Sequence, residues 1–221
     1  MRKNPGPGVK HKNFKKLPKI HPTIQAAIAA ALFFLAVWLS RGADMKEWEI
    51  SVFQALYYNP VFIKPAVIFI TQTGSIYMLG LLLFIFTVRK QWHVVIRLLL
   101  TATLAYQLSG FAKDIWGRAR PHEVLPGIYN LDYVVRGPGF PSGHTALAVA
   151  MALVVGHYLP KQYRWLTIVW IGGVAFSRLY LGIHAPLDIL GGFAIGWFSY
   201  ALFRHVRLQD IRYGKRKPAK Q

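Results

Sequence analysis

Residues 141–203 read PSGHTALAVAMALVVGHYLPKQYRWLTIVWIGGVAFSRLYLGIHAPLDILGGFAIGWFSYALF. Three apolar runs, His144 to Leu159, Trp165 to Ile183 and Pro186 to Phe203, are separated by the basic turn Lys161 to Arg164 and by the short GIHAP junction. Each run is near the roughly 20 apolar residues with which a helix crosses the hydrocarbon of a bilayer. Gly182 supplies a helix stop and Pro186 a helix start, so His184 is expected on the turn between the last two runs. The first and third runs are somewhat short and begin with polar residues. Such ends are tolerated at membrane depth where they line a protein-enclosed cavity.

The polar residues in this stretch suit one another chemically. Arg178 lies six positions before His184, as much as ~9 Å below the outer end of its helix at ~1.5 Å per residue. A charge at that depth reads as functional and calls for a partner. His184 and Asp188 are spaced i,i+4, so the carboxylate can accept a hydrogen bond from one ring nitrogen and leave the other bare. That is how a nucleophilic histidine is oriented. His144, on the neighbouring helix, can protonate a leaving oxygen. Ser142 and the Gly143 amide stand at a helix start, where unpaired N–H groups and the positive dipole end favour an anion. Upstream, Lys113 and Arg120-Pro121 add two more fixed cations, and the arginine fork brings bidentate geometry. Two histidines, a carboxylate and three cations meet the needs of phosphoryl transfer without a metal.

The rest of the chain supports a membrane setting. Its 221 residues are 54% hydrophobic and 14% aromatic, with mean hydropathy +0.31, which fits one membrane domain. Further spans are expected at Pro22 to Ser40, Pro65 to Val88 and Val94 to Ala112. The first follows a basic segment, yet its apolar run is longer than a signal-peptide core and no small-x-small cleavage site follows, so it reads as a retained anchor. Between the first two spans, Asp44 to Asn59 sets Trp48, Val52 and Leu56 four apart with Glu47, Glu49 and Gln54 elsewhere. That pattern fits a short interfacial helix or an ordinary polar loop. The expected fold is therefore all-α, a polytopic bundle of six transmembrane helices plus a short interfacial helix. Residues 22–204 form the membrane domain, and residues 1–21 and 205–221 form basic tails.

Charge sets the orientation. Lys and Arg number seven in residues 1–20, three between Arg89 and Arg97, two at Lys161 and Arg164, and seven from Arg204 onward, nineteen of 27 in all. That side is cytoplasmic by the positive-inside rule, so both termini are inside and the motifs share the extracytoplasmic side. Every acidic residue except Asp210 lies on that outer side too. The net charge of +19 needs no nucleic-acid partner. Basic tails beside membrane helices set topology and are drawn to anionic headgroups at about 1 kcal/mol per residue. The absence of cysteine excludes disulfides, thiolate metal sites and cysteine nucleophiles, and leaves the compartment open.

Taken as spacings, K-x6-R-P, P-S-G-H and S-R-x5-H-x3-D in that order resemble the signature of the type 2 phosphatidic acid phosphatase family of membrane phosphatases. The resemblance covers Lys113 to Asp188. It implies His184 as nucleophile of a phosphohistidine, Asp188 as its orienting carboxylate and His144 as general acid. Lys113, Arg120, Ser142, Gly143 and Arg178 are implied to hold the phosphate, with no metal and no cofactor. The implied partners are a lipid phosphate substrate and the surrounding lipids, with undecaprenyl diphosphate the first expectation and phosphatidylglycerol phosphate the second. Phosphatidic acid and phosphorylated lipid A are also substrates within the family. A lipid phosphotransferase, or a protein that binds or moves phospholipids without hydrolysing them, is the alternative; the latter needs the cations but not an oriented His184. The other histidines, His11, His21, His93, His122, His157 and His205, sit in tails, loops or an inner helix end and read as ordinary polar residues. In the loop from Arg120 to Pro141, Glu123, Asp132, Tyr133 and Arg136 are candidates for headgroup contacts, and its Pro-Gly pairs can serve simply to return the chain.

Overall fold

The computed structural model describes residues 20–41, 45–57, 61–132 and 137–204. Residues 1–19 and 205–221, which carry the basic tails, lie outside them, as do Asp44, Asn59, Tyr133 and Arg136. The described residues are helical, with no strand among them. The helices are α1 (Pro22–Leu39), α2 (Glu47–Tyr57), α3 (Lys64–Gln72), α4 (Ile76–Val88), α5 (Trp92–Trp116), α6 (Pro121–Val124), α7 (Gly143–Tyr158), α8 (Trp165–Tyr180) and α9 (Pro186–Phe203). Proline in the first turn of α1, α3 and α9 sets the backbone for a helix where an N–H would have no helical partner anyway.

Helix α7 is the axis of the bundle and packs against α5, α8 and α9. Its Ala146, Ala148, Ala150 and Ala152 are wholly buried, as are Val149, Met151 and Val154. A helix apolar all round and enclosed by neighbours need not span lipid on its own. This accounts for the shortness of the fourth run. Outside this axis, α1 lies along α9, α4 along α5 and α3 along α8, while α2 touches α8 and α9. The outward faces remain strongly apolar: Phe84 on α4 is 67% exposed and Ile168 on α8 is 71% exposed. Aromatic and aliphatic surface on that scale is suited to lipid.

Length and composition alone qualify three helices to cross a membrane, those beginning at Pro22, Trp92 and Pro186, and a bent pair makes a fourth. The expected second span, Pro65 to Val88, is that bent pair: α3 and α4 meet at 56°. The cause is local. Thr73 Oγ1 and Ser75 Oγ turn back to the carbonyls of Ile70 and Gln72, each at 2.6 Å. Ser75 then caps α4 by accepting from the Tyr77 amide at 3.2 Å. Side chains that compete for backbone partners end one helix and start another. The pieces taking the places of the fourth and fifth runs, α7 and α8, have 16 residues each.

Close packing of α9 on α7 depends on Gly192 and Gly196, a small-x3-small pair. A Cβ at Gly192 would stand 2.3 Å from the Ser142 carbonyl oxygen, and one at Gly196 would stand 2.5 Å from that of Ala146. Gly192→Ala is therefore expected to destabilise the fold by about 1–3 kcal/mol through overpacking. Gly80→Ala, where nothing lies within 4 Å of the added methyl, is expected to be neutral or slightly stabilising. Thermal unfolding midpoints of the two variants in detergent provide the comparison.

Candidate active site

The turn from α8 to α9 carries the central residue. Gly182 adopts φ +74°, a conformation open to glycine at little cost, and closes α8 through its amide to the Leu179 carbonyl at 3.0 Å. Two residues later His184 projects inward, 2% exposed, with Nδ1 3.2 Å from Asp188 Oδ2. Asp188 accepts from the Ala185 amide on Oδ2 at 2.8 Å, which fixes the carboxylate against the helix start. With Asp188 accepting at Nδ1, the ring proton belongs there, and Nε2 is left with its lone pair. Burial, then the charges of Arg178, Lys113 and Arg120 and the neighbouring His144, hold the His184 pKa well below its ordinary 6.5. The imidazole is thus uncharged at neutral pH, the form a nucleophile requires.

The cations come from other elements. Arg120 follows α5 and is held in place by carbonyls: Nε donates to Gly137 at 2.9 Å, Nη1 to Ile183 at 2.8 Å and Nη2 to Pro138 at 3.1 Å. Its Nη1 also lies 3.5 Å from His184 Nε2. Burial lowers the Arg120 pKa, offset in part by Asp188, Glu123 and Asp132, and the guanidinium stays charged at any physiological pH. Lys113, in the last turn of α5, donates to the carbonyls of Pro138 and Gly139. Arg178 is 2% exposed and reaches from α8 to Thr71 Oγ1 at 2.8 Å and Asp132 Oδ2 at 3.1 Å. Its Nε is buried without a hydrogen-bond partner among the described residues.

Lys113, Arg120, Gly143, His144, Arg178 and His184 line a single cavity of about 500 Å³, with Tyr77, Tyr106 and Leu147 on its apolar side. The other two expected site residues stand behind its wall. Asp188 is fully buried, and so is Ser142, whose hydroxyl accepts from the Thr145 amide at 3.4 Å and from its Oγ1 at 3.0 Å. The Ser142 amide donates to the Asp188 carbonyl at 2.9 Å, which ties the start of α7 to the start of α9. Such an arrangement can hold a multiply charged oxyanion against an uncharged, oriented imidazole.

Several charged residues find partners that their spacing does not encode. Glu49, off the Trp48, Val52 and Leu56 stripe of α2, is wholly buried, while that stripe is exposed. Asp132, a candidate for headgroup contact, lines the cavity and pairs with Arg178. Glu123 accepts from the Arg120 amide at 2.7 Å and caps α6. Arg118, which none of the three motif spacings includes, donates to Asp188 Oδ1 at 3.1 Å. The local signal was its position two residues before Arg120 in R-A-R-P.

Apolar helices of membrane-spanning length around a buried cationic pocket define an all-helical membrane protein built to receive an anionic group. The chain belongs to the PAP2 superfamily, whose sequence profile matches residues 94–212. It is 34% identical over 139 residues to a lipid A 4'-phosphatase of Bacteroides thetaiotaomicron, a match spanning 57% of this chain and 61% of that protein. An undecaprenyl-diphosphatase of Sulfolobus acidocaldarius is 26% identical over 158 residues, 69% of this chain and 76% of the relative. In fold, the chain is similar to the crystal structure of a transmembrane PAP2-type phosphatidylglycerolphosphate phosphatase from Bacillus subtilis. The TM-score is 0.71 at 22% identity, covering 86% of this chain and 99% of that one.

Proposed function

We propose that this protein is an integral membrane lipid phosphatase that removes a terminal phosphate through a phosphohistidine, without a metal. The observation that carries the reading is the two-sided placement of His184: Nδ1 on Asp188, and Nε2 beside Arg120 in a cavity lined by cations. Nε2 attacks the terminal phosphorus, and the P–O bond to the lipid breaks as His144, charged by a proton taken up together with the anionic substrate, gives that proton to the departing oxygen. Lys113, Arg120, Arg178 and the Gly143 amide stabilise the charge spread over the equatorial oxygens. His144, now neutral, takes a proton from water as that water attacks the phosphohistidine. Inorganic phosphate leaves and the neutral imidazole returns.

The layout belonging to this reading has six crossings, made by α1, the bent α3–α4 pair, α5, α7, α8 and α9. Residues 22–204 form the membrane domain, both basic tails lie in the cytoplasm and the cavity opens on the extracytoplasmic side. Undecaprenyl diphosphate is the first substrate, supported by the Sulfolobus relative, and phosphatidylglycerol phosphate the second. The Bacteroides relative adds lipid A phosphate to the set.

The test is release of inorganic phosphate in detergent from these three lipids, with and without EDTA. Release that persists in EDTA and differs among the lipids supports the reading and ranks its substrates. Loss of release on adding EDTA would overturn the metal-free mechanism. A wild type that releases phosphate from none of them, yet passes label to an acceptor lipid, would make it a phosphotransferase.

A further inference from the structure

Behind the dyad runs a chain of buried charge that the proposed chemistry does not call on. Glu49 is 0% exposed and Arg118 6% exposed. Arg118 Nη1 donates to Glu49 Oε2 at 2.9 Å and Nη2 donates to Oε1, a two-pronged grip, while Nε donates to Asp188 Oδ1 at 3.1 Å. Glu49 Oε1 also accepts from the Leu187 amide at 3.0 Å, in the first turn of α9. One guanidinium therefore bridges two carboxylates on helices α2 and α9, and α2 contributes no residue to the cavity.

Stability alone is a poor reason for this arrangement. Burying three charges costs heavily in lost hydration, and well-packed apolar side chains of the same volume commonly do as well or better. What an apolar cluster cannot provide is a fixed charge and a fixed orientation at Asp188. Arg118 by itself would neutralise Asp188 and weaken its hold on an imidazole that becomes cationic when phosphorylated. Glu49 takes up the charge of Arg118, pairing with two of its nitrogens, and the group of three keeps one net negative charge facing His184. The pairing is strong enough that the Arg118 pKa is raised: its burial acts to lower it, and the bonds and charges of Glu49 and Asp188 outweigh that.

We infer that Glu49 and Arg118 are positioning residues of the dyad, a relay Glu49–Arg118–Asp188–His184 that sets the orientation and net charge of Asp188. The inference rests on the phosphatase reading for its role in turnover, and its test includes a readout that needs no substrate. In Glu49→Gln, kcat is expected to fall on the order of 10- to 100-fold, the range seen when groups that orient a functional histidine are removed. KM is expected to stay within about threefold, since no cavity contact changes. Arg118→Lys is expected to lose as much as Arg118→Gln, because an ammonium cannot span both carboxylates.

The decisive variant is the double replacement Glu49→Leu/Arg118→Met. The double variant leaves the buried Asp188 carboxylate without Arg118, so its unfolding temperature is expected to fall below wild type, and a merely structural ion pair would still give wild-type kcat per folded molecule. A relay would not, so kcat is expected to remain depressed. The rate at which diethyl pyrocarbonate modifies His184, followed by mass spectrometry, is expected to fall in parallel. Wild-type kcat and wild-type His184 reactivity in the double variant would overturn the relay. If the wild type releases no phosphate from any lipid, the phosphatase reading fails, and the modification rate still decides the relay.

Discussion

Phosphate release by His184→Ala is expected to fall by at least about 10⁴-fold, because the atom that bonds to phosphorus is gone. His144, which lines the same cavity, is engaged in this reading as the acid and then the base. Lys113 and Arg120 are held against backbone carbonyls and Arg178 against Thr71 and Asp132, so none of the three is oriented for in-line attack as His184 is. His184 is buried, and among the described residues its side chain bonds to Asp188 and approaches Arg120, so the variant is expected to fold. The measurements are the initial rate on the best lipid of the panel and rapid acid-free trapping of labelled enzyme. Wild type is expected to yield a label that is stable to alkali and lost in acid, the behaviour of a P–N bond, and the variant is expected to yield none. Retention of rate within tenfold of wild type would remove His184 from the nucleophile's role.

Asp188→Asn is expected to cost on the order of 10⁴-fold in kcat, comparable to the same exchange in a serine protease triad, with little change in lipid binding. The reason lies in who donates to Asp188. Arg118 Nε gives a proton to Oδ1, and the Ala185 amide gives one to Oδ2, so both oxygens are acceptors. An asparagine has one acceptor oxygen, and the charged guanidinium claims it. Its NH2 group then faces His184, which must accept at Nδ1 and carry its proton on Nε2. The ring survives in place as the wrong tautomer, with its nucleophilic lone pair occupied. A fall in kcat of less than tenfold would show that Asp188 does not set the tautomer. A rise in KM matching the fall in kcat/KM would assign it to binding instead.

The fate of individual residues shows how much was legible before folding. His184 and Asp188 were readable because their relation is local: four residues apart, with glycine and proline marking the helix ends on either side. The start of α7 at Ser142-Gly143 was readable for the same reason, since a hydroxyl residue before an apolar run is a cap. The break in the second span lies in Thr73-Gly74-Ser75, but hydropathy passes over it, and only the hydroxyl bonds to Ile70 and Gln72 reveal that one helix ends there. Arg178 was readable as a buried charge that needs a partner, while the partners, Thr71 and Asp132, were not.

By itself the sequence determined the helical class, the lipid setting and the residue types of the candidate site. Those follow from hydropathy, from helix-end chemistry and from spacings within a turn or two. The tertiary structure decided which distant charges meet. Arg118 finds Glu49 69 residues away and Asp188 70 residues away, and Arg178 finds Thr71 across 107. No periodicity encodes such a pairing. It arises because α7 draws α5, α8 and α9 around it, and because a charge taken out of water must end beside another that compensates it.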